Sequence, residues 1–197
     1  EGVGEVLNPT NAAFNSDSFT LKTEMSMSGT PIMEQGILLK FIDNNNYLLY
    51  LLRCATVWIG HVLYYELKHR VVEVLNGTPY LIFDVSLSII APWQTVSLTF
   101  VLRLQMKDDL LRFHVVYSGT VVGCSQGVVN IGSAFVGVSA KCGLYTYSEF
   151  GESCSWDYLR LDEGPIGYAS MISDYDAQQI GLTDHDELTA CISGIAQ

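Results

Sequence analysis

The chain has 197 residues, of which 49 % are hydrophobic and 16 % charged, and it carries a net charge of −11 at pH 7. That composition excludes disorder, which needs low hydrophobicity and high charge, and it suffices for one domain with a sizeable core. With 21 acids against 10 bases and no basic stripe, nucleic acid is disfavoured as a partner.

No apolar run reaches the roughly 18 residues of a membrane helix, so membrane insertion is not expected. A mean hydropathy of +0.25 is high for a soluble monomer: either both sheets are thickly covered, or some apolar surface meets another chain, in a homo-oligomer or larger assembly. Position 1 is Glu rather than Met and no signal peptide is seen, which reads as a processed product or a segment of something longer.

Residues 1 to 18 are rich in Gly, Asn, Ser and Ala and read as an N-terminal arm with a short edge strand. From Phe19 to Met27 the chain alternates. Phe19, Leu21, Met25 and Met27 point one way, and Thr20, Lys22, Glu24 and Ser26 the other, which is a half-buried strand. Ser28-Gly-Thr-Pro31 breaks it. Gly36 to Ile42 is apolar on both faces and reads as a central strand. Asp43-Asn-Asn-Asn46 is a turn, because Asn and Asp tolerate left-handed backbone, and Tyr47 to Arg53 pairs back across it.

Trp58 to Arg70 carries one or two strands and Tyr80 to Ile90 another, with Asn76-Gly77 as a tight turn between them. Pro92-Trp93 opens the strand in which Val96, Leu98, Phe100, Leu102 and Leu104 alternate. Lys107-Asp-Asp109 turns it into the return strand of Leu111, Phe113, Val115 and Tyr117. Phe100, Leu102, Phe113, Val115, Trp156 and Tyr158 are the expected core. Gly123 to Gly132 is read as a loop with a short strand, and 134–142 and 154–162 as the closing strands.

About eleven short strands with no intervening helices predict an all-β, two-sheet antiparallel sandwich over residues 1–165. After Gly164-Pro165 the texture changes. Residues 166–197 hold five acids and no Lys or Arg, and Asp174 to Ile180 and Thr183 to Ile192 predict short helices. This acidic C-terminal appendage keeps enough apolar side chains to require docking, on its own sandwich or on a neighbour.

The order of elements resembles the concanavalin A-like, or laminin G-like, jelly-roll sandwich over roughly residues 14 to 163. The strand–turn–strand unit Leu38 to Arg53, the Trp93-led hairpin from Val96 to Tyr117, and the closing Val136-Gly-Val-Ser-Ala140 and Cys154-Ser-Trp-Asp-Tyr-Leu-Arg-Leu161 carry the likeness. The resemblance implies two stacked sheets, one concave, with ligands at the concave face or the rim loops. Fold alone does not give function.

The group includes glycan-cleaving enzymes, and retaining hydrolysis wants two carboxylates about 5 Å apart, at alternate positions of one strand. Neither Glu-x-Asp-x-Glu nor Glu-x-Asp-x-x-Glu occurs. Glu66 and Glu73 are not spaced for one site, Glu149 and Glu152 read as solvated loop charges, and His61, His69 and His114 form no motif. Asp184-His-Asp-Glu187 reads as helix-start acids rather than a metal cluster. Asp43 to Asn46 could offer oxygens to calcium, but an ordinary turn is the stronger reading, so no cofactor and no metal are expected.

Asn76-Gly-Thr78 is a glycosylation sequon. Gly143 to Gly151, with Tyr145, Tyr147 and Phe150, is the expected sugar-stacking loop and ligand site. Five cysteines (54, 124, 142, 154 and 191) cannot all pair within one chain. Cys142 and Cys154 flank an apparent hairpin, and buried free thiols are the favoured reading.

The functional expectation is a non-catalytic, glycan-binding recognition module, not an enzyme, on an extracellular or virion surface. Its partners are a glycan or neighbouring protein subunits. The alternative is a structural or assembly domain of a viral or phage particle. A hydrolase or lyase ranks last, because the catalytic acids are missing.

Overall fold

The computed structural model describes residues 4–10, 13–29, 32–92, 94–148 and 153–163. These form eleven strands: β1 (Gly4–Pro9), β2 (Ser18–Gly29), β3 (Met33–Asp43), β4 (Asn46–Ile59), β5 (Val62–Leu75), β6 (Thr78–Ile90), β7 (Val96–Lys107), β8 (Leu110–Gly119), β9 (Gly123–Asn130), β10 (Lys141–Ser148) and β11 (Ser153–Glu163). One sheet has the order β1-β10-β3-β4-β5-β6 and the other β11-β2-β7-β8-β9. Every neighbouring pair is antiparallel. The molecule is an all-β sandwich, with no helix among the described residues. The helices expected within 166–197 and the stretch 149–152 lie outside the described residues.

Period-two alternation sets the core. Phe19, Leu21, Met25 and Met27 of β2, Phe100, Leu102 and Leu104 of β7, and Phe113 and Val115 of β8 meet Ile37, Leu48, Tyr50, Leu52 and Val71 of the opposing sheet. Asn76 and Gly77 both take positive φ, 52° and 77°, as a two-residue hairpin turn demands. Buried polar side chains tie the sheets at both flanks. The Gln35 amide donates to the Ser155 carbonyl oxygen at 2.7 Å, and the Tyr117 hydroxyl donates to the Leu87 carbonyl oxygen at 3.0 Å.

Four local expectations are corrected. Gly123–Asn130 is a full strand, paired to β8. Residues 133–136 make a turn, and the strand begins only at Lys141. Tyr158 faces away from the core, because a bulge between Trp156 and Tyr158 inserts Asp157 and flips the alternation. Cys142 and Cys154 both carry reduced thiols and lie in different sheets, so sequence adjacency of their strands does not make a hairpin.

A second bulge, between Leu38 and Lys40, turns two successive residues of β3 inward. Lys40 is thereby fully buried. Its ammonium donates to the Asp17 carboxylate at 3.1 Å and to the carbonyl oxygens of Ser16 and Val138 at 3.2 and 3.1 Å. It lies 5.1 Å from the Phe14 ring centre and 5.8 Å from that of Phe19. Removing one partner of a buried pair strands the other, so Lys40→Met should cost about 3–5 kcal/mol in chemical denaturation. A loss below about 1 kcal/mol would show that the ammonium contributes no net stability.

His69 is also fully buried, edge-on to the rings of Phe83 and Phe113, each 4.8 Å away, and 2.9 Å through Nδ1 from the Tyr50 hydroxyl. Burial lowers its pKa to about 4, against a small opposing pull from Asp84. In the unfolded chain the imidazole titrates near 6.5. Below that pH the unfolded chain therefore takes up a proton that the folded chain refuses. Stability should fall as pH drops from about 6.5 to about 4, by up to about 3 kcal/mol. Denaturation midpoints at pH 7.5, 6 and 5 should decline less steeply in His69→Gln. Equal slopes in the two proteins would assign the decline elsewhere.

Candidate functional site

The two central strands β3 and β4 are apolar on both faces, so the six-stranded sheet has a second apolar layer on its outer side. Leu38, Phe41, Tyr47, Leu49, Leu51, Val74 and Tyr145 form this layer, with Leu7, Val72 and Tyr147 packed against it. Leu49, Leu51, Val72 and Val74 are the floor of an open groove of about 440 Å³. Tyr47 and Tyr145 contribute to its sides, and Glu34, Asn44, Asn45 and Arg70 supply its polar groups.

Three strands assemble the polar head of the groove. The Tyr145 hydroxyl, from β10, donates to Oε2 of Glu34 on β3 at 3.1 Å. Arg53 Nε, from β4, lies 3.2 Å from Oε1 of the same carboxylate. One residue pair further along, Arg70 of β5 grips Asp84 of β6 through two bonds, Nε to Oδ1 at 2.9 Å and Nη2 to Oδ2 at 3.1 Å. Lys68 sits between Glu66 at 3.3 Å and Asp84 at 3.5 Å. Burial works to raise the Asp84 pKa, but the bonds and charge of Arg70, with those of Lys68, outweigh it and hold the carboxyl below its ordinary range.

Tyr145 pairs across the sheet with Gly36, and residue 36 has to be Gly. A Cβ there would lie 2.3 Å from the Tyr50 carbonyl oxygen and 2.9 Å from Leu51. At the other end of the groove two hairpin tips are joined. The Gly77 N–H donates to the Asn45 carbonyl oxygen at 2.9 Å, and the Asn76 N–H to Asn46 Oδ1 at 3.1 Å. The Asp43 carboxylate closes its own turn by accepting from the Asn45 N–H at 2.7 Å and from Asn46 Nδ2 at 3.0 Å.

An apolar floor, two phenol rings, one carboxylate, one guanidinium and two amides together suit a ligand with apolar C–H faces and a hydroxyl rim. Of the three aromatic residues expected to bind ligand, Tyr145 lines the groove and Tyr147 packs beside it. Both stand on strand β10 rather than in a loop. Phe150, Glu149, Glu152 and Asp184 to Glu187 lie outside the described residues.

Glu66 and Glu73 sit at an odd separation on β5, on opposite faces, and share no site. Burial raises the Glu73 pKa. His61 is exposed at a turn, His69 is a core residue, and His114 is on the outer face of the five-stranded sheet. Sequence reasoning missed Glu34, Arg53 and Arg70. Paired acids along one strand are visible in a sequence, whereas the sandwich gathers these side chains from separate strands. The signal that could have found them is the two-sided apolar character of Tyr47 to Leu52, which marks a second covered face.

No family model matches the chain, and no curated protein is similar to it. Among solved structures it is similar to a GH43 protein from Bacillus licheniformis, at 15 % identity and a TM-score of 0.48. It is similar also to a xylan β-1,4-xylosidase from Bacillus halodurans, at 10 % identity and 0.49. Each match covers 75 % of this chain and 28 % of the other, so the chain corresponds to little more than a quarter of those proteins. An alginate lyase from Klebsiella pneumoniae matches at 13 % identity and 0.39, over 75 % of this chain and 60 % of the lyase. The expectation of a non-catalytic recognition module, with a virion or assembly domain as its alternative and no enzyme activity, is corrected by these findings. The proteins named are carbohydrate-active enzymes, the class that the sequence reading ranks last. At these identities, and with each TM-score below 0.5, the likeness carries no further argument about this chain.

Proposed function

We propose that the chain is a carbohydrate-active domain with a concanavalin A-like jelly roll, and that the groove on the six-stranded sheet is its saccharide site. The observation that carries this reading is Glu34, held between the Tyr145 hydroxyl and Arg53 at the head of an apolar-floored groove. Aromatic and aliphatic walls match the C–H faces of a sugar ring, and the carboxylate, guanidinium and amides match its hydroxyls. Within this reading Glu34 takes a proton from a water that attacks the anomeric carbon, the glycosidic C–O bond breaks, and the leaving oxygen takes the Tyr145 proton, which Glu34 returns across their 3.1 Å hydrogen bond. Asp84 is committed to Arg70 and Lys68, and it holds the Arg70 guanidinium in place at the groove. The net charge of −11 disfavours polyuronates, so the substrate class is a neutral polysaccharide.

The test is a panel of xylans, mannans, glucans and alginate, scored for retention of the chain and for release of reducing or unsaturated ends. A neutral polysaccharide should be preferred over alginate. Glu34→Gln and Tyr145→Phe should each weaken the response by at least about tenfold while the fold stays intact. A folded chain that neither retains nor cleaves any of them, or variants that behave as the parent does, would remove this site from consideration.

A further inference from the structure

We propose that the outer face of the five-stranded sheet is the docking surface for the chain's own acidic segment, residues 166–197, and that a Cys124–Cys191 disulfide fixes it there. This face is opposite to the one covered by the six-stranded sheet. Its cross-strand rows can be read from the register. One runs Glu24, Val101, Val116, Cys124; the next runs Arg160, Lys22, Arg103, His114, Gln126. These residues alternate with the core positions Leu102, Leu104, Phe113 and Val115.

Outward residues on an open sheet keep part of their area in water, but four in these rows do not, while Gln126 and Arg160 at the ends stay exposed. Val101 is 3 % exposed, Val116 2 %, Cys124 3 % and His114 1 %. None of them belongs to either buried apolar cluster, and no other described strand is laid across this face. A further layer has to cover it, and the longest stretch outside the described residues is 164–197.

Charge selects the same occupant. Lys22, Arg103, Lys107, Arg112 and Arg160, five of the 10 Lys and Arg in the chain, stand on this face against the two acids Glu24 and Asp162. Residues 166–197 carry Asp174, Asp176, Asp184, Asp186 and Glu187, with no base. Ile172, Ile180, Leu182 and Leu188 give the same segment an apolar side to set against Val101 and Val116.

The cysteines point to the same segment. Cys54, Cys142 and Cys154 carry reduced thiols, Cys124 is disulfide-bonded, and the fifth cysteine is Cys191. The geometry permits the bond. From β11, where the described chain leaves the sheet at one edge, to β9 at the other is four strand spacings, about 19 Å. The 28 residues from Gly164 to Cys191 span about 42 Å even when wholly helical. Each thiol gives up one proton and one electron to a disulfide donor of an oxidising compartment, which leaves as two thiols.

Peptide mapping of the unreduced full-length chain should find Cys124 joined to Cys191 within a monomer. Diethyl pyrocarbonate should label His61 on its exposed turn and spare His114. In a chain ended at Glu163, or in full-length Cys191→Ser under reducing conditions and high salt, His114 labelling should rise several-fold while His61 stays constant. A Cys124–Cys191 link between two copies, a different partner for Cys124, or His114 labelling as fast as His61 in the oxidised full-length chain would overturn the proposal. The peptide map is read on the full-length chain, so it decides the matter even where the shortened chain fails to fold.

Discussion

The buried ammonium of Lys40 is the point on which the geometry of one end of the sandwich depends. A lone charge inside a protein costs several kcal/mol, and here the cost is offset by a carboxylate, two carbonyl oxygens and two aromatic faces. Those partners come from two distant pieces of chain: the stretch Phe14 to Phe19, where the N-terminal arm runs into β2, and the segment before β10 through Val138. Asp17 extends the network, since its second oxygen accepts the Gly137 N–H at 2.7 Å. The bulge that turns Lys40 inward also sets the facing of the rest of β3. With two residues in succession facing the core, Phe41 falls on the outer face, where its ring stacks on Tyr47 of the groove. One wall of the groove thus depends on the same irregularity that buries the lysine.

The groove itself arises from hydrophobic residues placed on both faces of central strands. Leu49 and Leu51 alternate with Leu48, Tyr50 and Leu52, so the six-stranded sheet has an apolar floor outside as well as a core inside. Such a floor is costly in water unless side chains overhang it, and Tyr47 and Tyr145 contribute this cover while leaving a channel. Charged groups then collect where the floor ends. Glu34, Glu66 and Asp84 neutralise Arg53, Lys68 and Arg70 across β3 to β6.

Strand alternation makes most of the fold legible. Phe19 to Met27, Val96 to Leu104 and Leu111 to Tyr117 each assign an inner face that the structure confirms. The misreadings occur at bulges and turns. Strict alternation carries Trp156 to Tyr158 as a core pair, and a single inserted residue defeats that inference. The site is legible only in part. Tyr145 stands out as an aromatic among small residues, but Glu34 acquires its meaning from Arg53 and Tyr145, which lie 19 and 111 positions away in sequence. Pairing across that distance is set by sheet order, which no local pattern encodes. The two-sidedness of β3 and β4 is visible in the residues, and it is the clue that a second face is in use.

The strand order has a further consequence, for how the chain reaches this state. β2 and β3 are consecutive and near the start, yet each is completed on one side by a strand near the end of the sandwich, β11 and β10 respectively. Thr23 meets Tyr158 across 135 positions. Contacts of that separation bring large loop-closure entropy before any reward, which places folding in the slow, millisecond-to-second range of all-β domains. During synthesis, long apolar strands such as β2 and β3 must wait with an open edge until β10 and β11, the end of the sandwich, have emerged. For this chain the hazard of misassociation lies in that interval rather than in the finished fold.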